Sequence, residues 1–93
     1  MDLQIGQIVI SKAGRDKGVA FIVFGLEDNF ALLVDGKGRP LENPKRKKTK
    51  HLQPVNFVDK SLAHLIQTNA YLKDADFRTA IKAAFRKGDF SHG

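Results

Sequence analysis

The chain has 93 residues, no cysteine, and 16 Lys+Arg against 10 Asp+Glu, a formal net charge of +6. That length holds one domain with room for a helical extension, and the missing cysteine excludes a disulfide scaffold, a thiolate nucleophile and any Cys-ligated metal centre. The longest apolar run, residues 19–26, is broken by Gly25 and falls far short of the ~20 residues that span a bilayer.

Met1-Asp2-Leu3-Gln4 lacks a basic region and an apolar stretch behind it, so no signal peptide is expected and the cytoplasm is the default compartment. Residues 6–11 are short and β-branched and predict a first strand. The loop Lys12-Ala13-Gly14-Arg15-Asp16-Lys17-Gly18 comes next. Its two glycines permit a sharp connection, and exposed backbone N–H groups with Lys12, Arg15 and Lys17 suit phosphate contacts. Asp16 stands in the middle, where it would repel phosphate, orient Arg15 or Lys17, or accept a hydrogen bond from a base or a 2′-hydroxyl. The spacing is not that of a Walker loop, and the segment after Gly18 reads as a strand rather than a helix.

Residues 19–24 are apolar on both faces, as a central strand of a small barrel would be. Glu27-Asp28-Asn29 is a polar turn that predicts a hairpin to a third strand over residues 30–34. Asp35-Gly36-Lys37-Gly38 is a further turn. Residues 39–42 read as a short fourth strand, with Pro40 placing it at an edge or a strand start. His51-Leu52-Gln53 reads as a fifth, which Pro54 should cut short. Five short strands joined by tight turns suggest a small barrel.

The charge is not spread evenly. Residues 37–50 hold Lys37, Arg39, Lys45, Arg46, Lys47, Lys48 and Lys50 against Glu42 alone, so the whole net charge lies in this stretch. Self-repulsion within residues 45–50 predicts an exposed arm, mobile when free. A solvated loop, a polyanion-binding arm and an import signal at Pro44-Lys45-Arg46-Lys47-Lys48 all fit the pattern. A membrane-surface role fits less well, because no amphipathic helix with aromatic anchors adjoins it.

The C-terminal third changes period. Asp59 is a good N-cap for a helix carrying Leu62, Leu65 and Ile66, with Asn69 ending it. Asp74 predicts the cap of a second helix and Gly88 its C-terminal stop. Phe77, Ala80, Ile81, Ala84 and Phe85 form an apolar stripe. Asp74 and Asp76 at one end, with Arg86 and Lys87 at the other, suit the macrodipole. Arg78, Lys82 and Arg86 make a basic ridge beside the stripe, an ordinary solvated face or a source of auxiliary phosphate contacts. His51, His64 and His92 lack metal-ligand spacing, and Ser11, Ser61 and Ser91 lack a nucleophile context, so no metal, cofactor or catalytic activity is expected.

The segment from Gly6 through Ser11-Lys12-Ala13-Gly14-Arg15-Asp16-Lys17-Gly18 into an apolar strand resembles a KOW motif. More narrowly, SKAGRDKG and then LLVDGKGRPLENPKRKKTKHL are similar to the KOW-containing ribosomal proteins of archaeal and eukaryotic large subunits, the fourteen-e type. Small bacterial KOW-domain RNA-binding proteins share the pattern, and the likeness covers roughly residues 5–53. The C-terminal DADFRTAIKAAF resembles the tail of the bacterial members and lacks the long eukaryotic extensions.

This resemblance implies a mainly β fold: an SH3-like barrel of five strands over residues 1–55, with the basic arm at 44–50, and a helical extension over 56–93. It implies binding to structured ribosomal RNA, as a ribosomal or ribosome-associated protein. The RNA-facing loop falls on Lys12, Gly14, Arg15, Asp16, Lys17 and Gly18. The arm falls on Lys45, Arg46, Lys47, Lys48 and Lys50, with Lys37 and Arg39 in the same charged stretch. The expected partners are RNA and neighbouring ribosomal proteins, with no membrane and a monomeric free state. KOW barrels of elongation factors bind proteins, so a protein-interaction module of a transcription or translation factor is the alternative. The stripe of Phe77, Ile81 and Phe85 would then serve a partner.

Overall fold

The computed structural model describes residues 3–86. The readings of Met1, Asp2, Lys87, Gly88, Ser91 and His92 lie outside the described residues. Five strands, β1 (Gln7–Ser11), β2 (Ala20–Glu27), β3 (Phe30–Val34), β4 (Lys45–Lys48) and β5 (Leu52–Val58), precede two helices, α1 (Lys60–Gln67) and α2 (Asp74–Arg86). Every pairing is antiparallel, in the order β4-β3-β2-β1-β5, so β4 and β5 are the two edges. A 3₁₀ turn, Thr49–His51, carries the chain from one edge to the other. Its Thr49 N–H donates to Asn29 O at 2.8 Å, and its His51 O accepts from Lys12 N–H at 2.8 Å. Among the described residues, no helix is long and apolar enough to cross a membrane.

The period-2 geometry of a strand explains the doubly apolar β2. Ile22, with Ile8 and Val34, lies on the face that α1 and α2 cover through Leu62, Phe77, Ala80 and Ala84. Phe21 and Val23 lie on the other face with Val9, Ala31, Leu33 and Leu52, where Leu3 and Ile5 pack against them. The helices therefore share a core with the sheet. Phe77 is fully buried and meets Phe24 edge-on, with ring centroids 6.1 Å apart. Ile81 is half-buried against the same cluster, whereas Phe85 is 38% exposed at the rim.

Two strand expectations are corrected. The fourth strand is not residues 39–42. Pro40 has no N–H, Asn43 N–H folds back onto Pro40 O at 2.9 Å, and Leu41 N–H donates to Asp74 Oδ1 at 2.7 Å. With its donors so engaged this segment is a turn, and the basic stretch forms β4 instead, with Ala31 opposite Lys47 and Leu33 opposite Lys45. Nor does Pro54 end β5. The strand runs to Val58, because a proline is tolerated on an edge and the register shifts between Gln7 and Val9.

Both helix starts are built by carboxylates. Asp59 Oδ1 accepts from Leu62 N–H at 2.9 Å, an N-cap. Asn69 leaves α1 in the left-handed region, φ 56°. Asp74 is the first residue of α2, and its carboxylate reaches across to Leu41 instead of capping. Asp76 supplies the local bond, accepting from Lys73 N–H at 2.8 Å. Gly36 lets this helix sit close: a side chain there would collide with Asp74 O and with Arg78 Cγ, and φ is 79°. Replacing Phe77 by Ala should therefore cost about 3–5 kcal/mol of stability, read as a lower urea midpoint. An unchanged midpoint would mean that the ring is not core.

Candidate nucleic-acid interface

The loop between β1 and β2 is held by one carboxylate. Asp16 Oδ1 accepts from Ser11 Oγ at 2.7 Å and from Lys47 Nζ at 2.9 Å, and Lys47 Nζ also donates to Ala13 O at 2.9 Å. Lys45 Nζ stands 3.9 Å from the other oxygen. The side chain of Lys47 is 10% exposed and that of Asp16 18%. Charges this far from water are stable only when paired, and here they are. Burial pushes the Asp16 carboxyl up. The hydrogen bonds from Ser11 and Lys47 and the charges of Lys47 and Lys45 outweigh it, leaving the group below its ordinary value of 3.8.

The rest of the loop is shaped around this clamp. Gly14 and Gly18 take left-handed φ values of 83° and 90°, which lets Lys17 N–H donate to Gly14 O and Gly18 N–H to Ser11 O. Val19 N–H donates to Asp16 O. The amides of Lys12, Lys17, Gly18 and Val19 are thus already paired, so a ligand would find free N–H groups only at residues 13–16. Asp16 orients neither Arg15 nor Lys17; its partners are Ser11 and Lys47.

Beside the clamp lie two hollows that share Val19 and Asp35. The larger, about 510 Å³, is lined by Lys37, Arg78 and Lys82 together with Ala20, Ala75 and Ile81. The smaller, about 340 Å³, is lined by Arg15, Arg39 and Lys45 and also by Asp16. The two adjoin at Val19 and Asp35, and the grooved surface they make is lined by cations from four places in the sequence: the β1–β2 loop, the β3–β4 turn, β4 and α2. Asp35 does not cancel them freely, because its Oδ1 accepts from Lys37 N–H and Arg39 N–H, both at 2.8 Å. That carboxylate shapes the turn that presents both cations. Arg78 is anchored by Nη1 donating to Gly36 O at 2.7 Å.

The remaining basic residues lie elsewhere. Arg46 and Lys48 are exposed and alternate with Lys45 and Lys47, so they occupy the opposite face of β4. Lys12, Lys17 and Lys50 are exposed outside the groove lining, as is Arg86 at the end of α2. The expected mobile arm is corrected: pairing with β3 and the Asp16 clamp hold residues 45–48 in the sheet. Sequence reasoning missed Ser11, Asp35 and Val19. An aspartate two residues before a glycine-flanked lysine was a readable sign for Asp35 alone. No family model matches the chain, and no curated protein matches it.

The clamp has a pH signature. Because the folded carboxyl lies below 3.8, its stabilisation is present above that value and is lost as pH falls through the lower folded value. Asp16→Asn should lower stability by about 1–3 kcal/mol near neutral pH. The gap between variant and parent, measured by thermal unfolding, should narrow as the buffer is acidified below 3.8. A gap independent of pH would exclude an ionic clamp.

Proposed function

We propose that the chain is a non-catalytic RNA-binding protein that engages structured ribosomal RNA, as a ribosomal or ribosome-associated protein. The observation that carries this reading is the groove where Arg15, Lys37, Arg39, Lys45, Arg78 and Lys82 converge. Six cations from distant segments, three lining each of two adjoining hollows, suit a phosphate backbone better than they suit a solvated surface. The wall between them is partly apolar, which fits the sugar edges of a wide, shallow minor groove.

We read the sheet as an SH3-like barrel of the KOW kind. The strand order and the 3₁₀ turn that carries β4 round to β5 support this. So does the complete burial of Val9, Val23 and Leu33 on the face away from the helices, where the partly buried hydrophobics packed against them are Leu3 and Ile5, since a flat sheet would leave much of that face wet. In this reading Asp16 and Lys47 hold the loop, and the cations around them supply the attraction. Affinity comes from the groove, and shape and backbone position supply the register. Of the stripe that the protein-interaction alternative would offer a partner, Phe77 is committed to the core and Phe85 is 38% exposed.

A fluorescence titration of an RNA hairpin at several salt concentrations tests the proposal. Five to seven neutralised phosphates predict a slope of log K against log salt of roughly −3.5 to −6. Replacing Arg15, Lys37 and Arg39 by Gln should reduce the slope by about 2 to 3 while leaving the melting temperature nearly unchanged. A slope near zero for the parent chain would overturn the RNA reading, and protein capture that survives the triple substitution would favour the alternative.

A further inference from the structure

On the other face of β4, Arg46 has neighbours that the groove cations lack. Its Cζ lies 3.6 Å from the centroid of the Phe30 ring. At that separation only a guanidinium lying flat on the ring fits, because van der Waals contact between two planes is reached at about this distance. Its Nε donates to Glu27 Oε1 at 3.0 Å. That bond lies in the guanidinium plane and fixes its rotation over the ring. The tight turn between β2 and β3 places Glu27 opposite Phe30, and β4 brings Arg46 opposite Leu32, one step along the same face. Two side chains from the hairpin therefore hold the guanidinium from beneath and from one edge.

The arrangement leaves its upper face open. The Arg46 side chain is 56% exposed, and among the described residues Nε is its only nitrogen with a hydrogen-bond partner. An exposed arginine would ordinarily be read as a phosphate contact. Here Glu27, 49% exposed, places a carboxylate against the same group. A phosphate approaching Arg46 meets that negative charge, whereas the face of an uncharged nucleobase does not. Flat, oriented and nearly neutralised, the group suits stacking better than ion pairing.

Resting on the RNA reading, we propose that Arg46 on Phe30 is a stacking platform for one unpaired nucleobase, a bulged or loop nucleotide of the bound RNA. A paired base buries its faces in the helix and cannot use the platform, so the ligand class is a single extruded base. Lys48, opposite Phe30 on the same face and exposed, is placed for the phosphate beside it. Because Lys45 and Arg46 are consecutive, a strand of RNA crossing this edge of the sheet meets the groove on one side and the platform on the other.

The test compares two RNA hairpins closed by the same non-nucleotide linker and identical except for a single bulged adenine in one of them, so that the other is fully paired, by fluorescence anisotropy at fixed salt. The parent chain should bind the bulged hairpin about tenfold more tightly. Arg46→Lys keeps the charge and loses the plane, so it should remove the preference and leave affinity for the paired hairpin unchanged. Phe30→Leu should also reduce the preference. Equal affinity of the parent chain for both hairpins, or a preference that survives Arg46→Lys, overturns the platform while the RNA reading stands. Binding to neither hairpin overturns the RNA reading and the platform with it.

Discussion

The pairing of Asp16 with Lys47 is the contact on which the basic half of the molecule depends. The two residues are 31 positions apart, and their contact joins the β1–β2 loop to an edge strand made of four consecutive cations. Unpaired, those cations would repel one another away from the sheet. One carboxylate beneath Lys47 and near Lys45 offsets that repulsion on the inner side, and Glu27 does the same for Arg46 on the outer side. Strand alternation then sorts the charges, with Lys45 turned to the groove and Arg46 and Lys48 to the opposite face.

A second junction makes the helical part belong to the same surface. Gly36 admits the first turn of α2, Asp74 holds Leu41, and Arg78 returns a bond to Gly36 O. The contacts that seat the helix on the β3–β4 turn thereby place Arg78 and Lys82 across from Lys37. Core packing and groove formation are one event: the face of α2 that carries Phe77 enters the core, and the adjacent ridge becomes a wall.

Much of the fold was legible because it rests on local pattern. β-branched and apolar runs mark β1, β2 and β3, and Asp59 with a helical apolar spacing marks α1. β4 was not legible, since Lys-Arg-Lys-Lys has neither alternation nor β propensity, and its pairing depends on carboxylates supplied by other parts of the chain. Residues 39–42 look like a strand until Asp74, 33 residues from Leu41, takes the amide a ladder would need. The same limit applies to the candidate site. The basic residues announce themselves, but which are occupied and which are open depends on partners far along the chain, so Lys47 and Lys45 read alike in sequence and differ in space.

The placement of Lys45–Lys48 at the rim of the sheet has a bearing on self-association. A sheet edge normally offers a row of unpaired amides and carbonyls on which another chain can build. One edge here is a strand of four cations, so a second copy brought alongside would set like charges against each other. The other edge, β5, lacks an N–H at Pro54 and is broken by a register shift. Both open ends of the ladder are poor templates, one through repulsion and one through a missing donor, and the first of these belongs to the segment that carries the whole net charge of the chain.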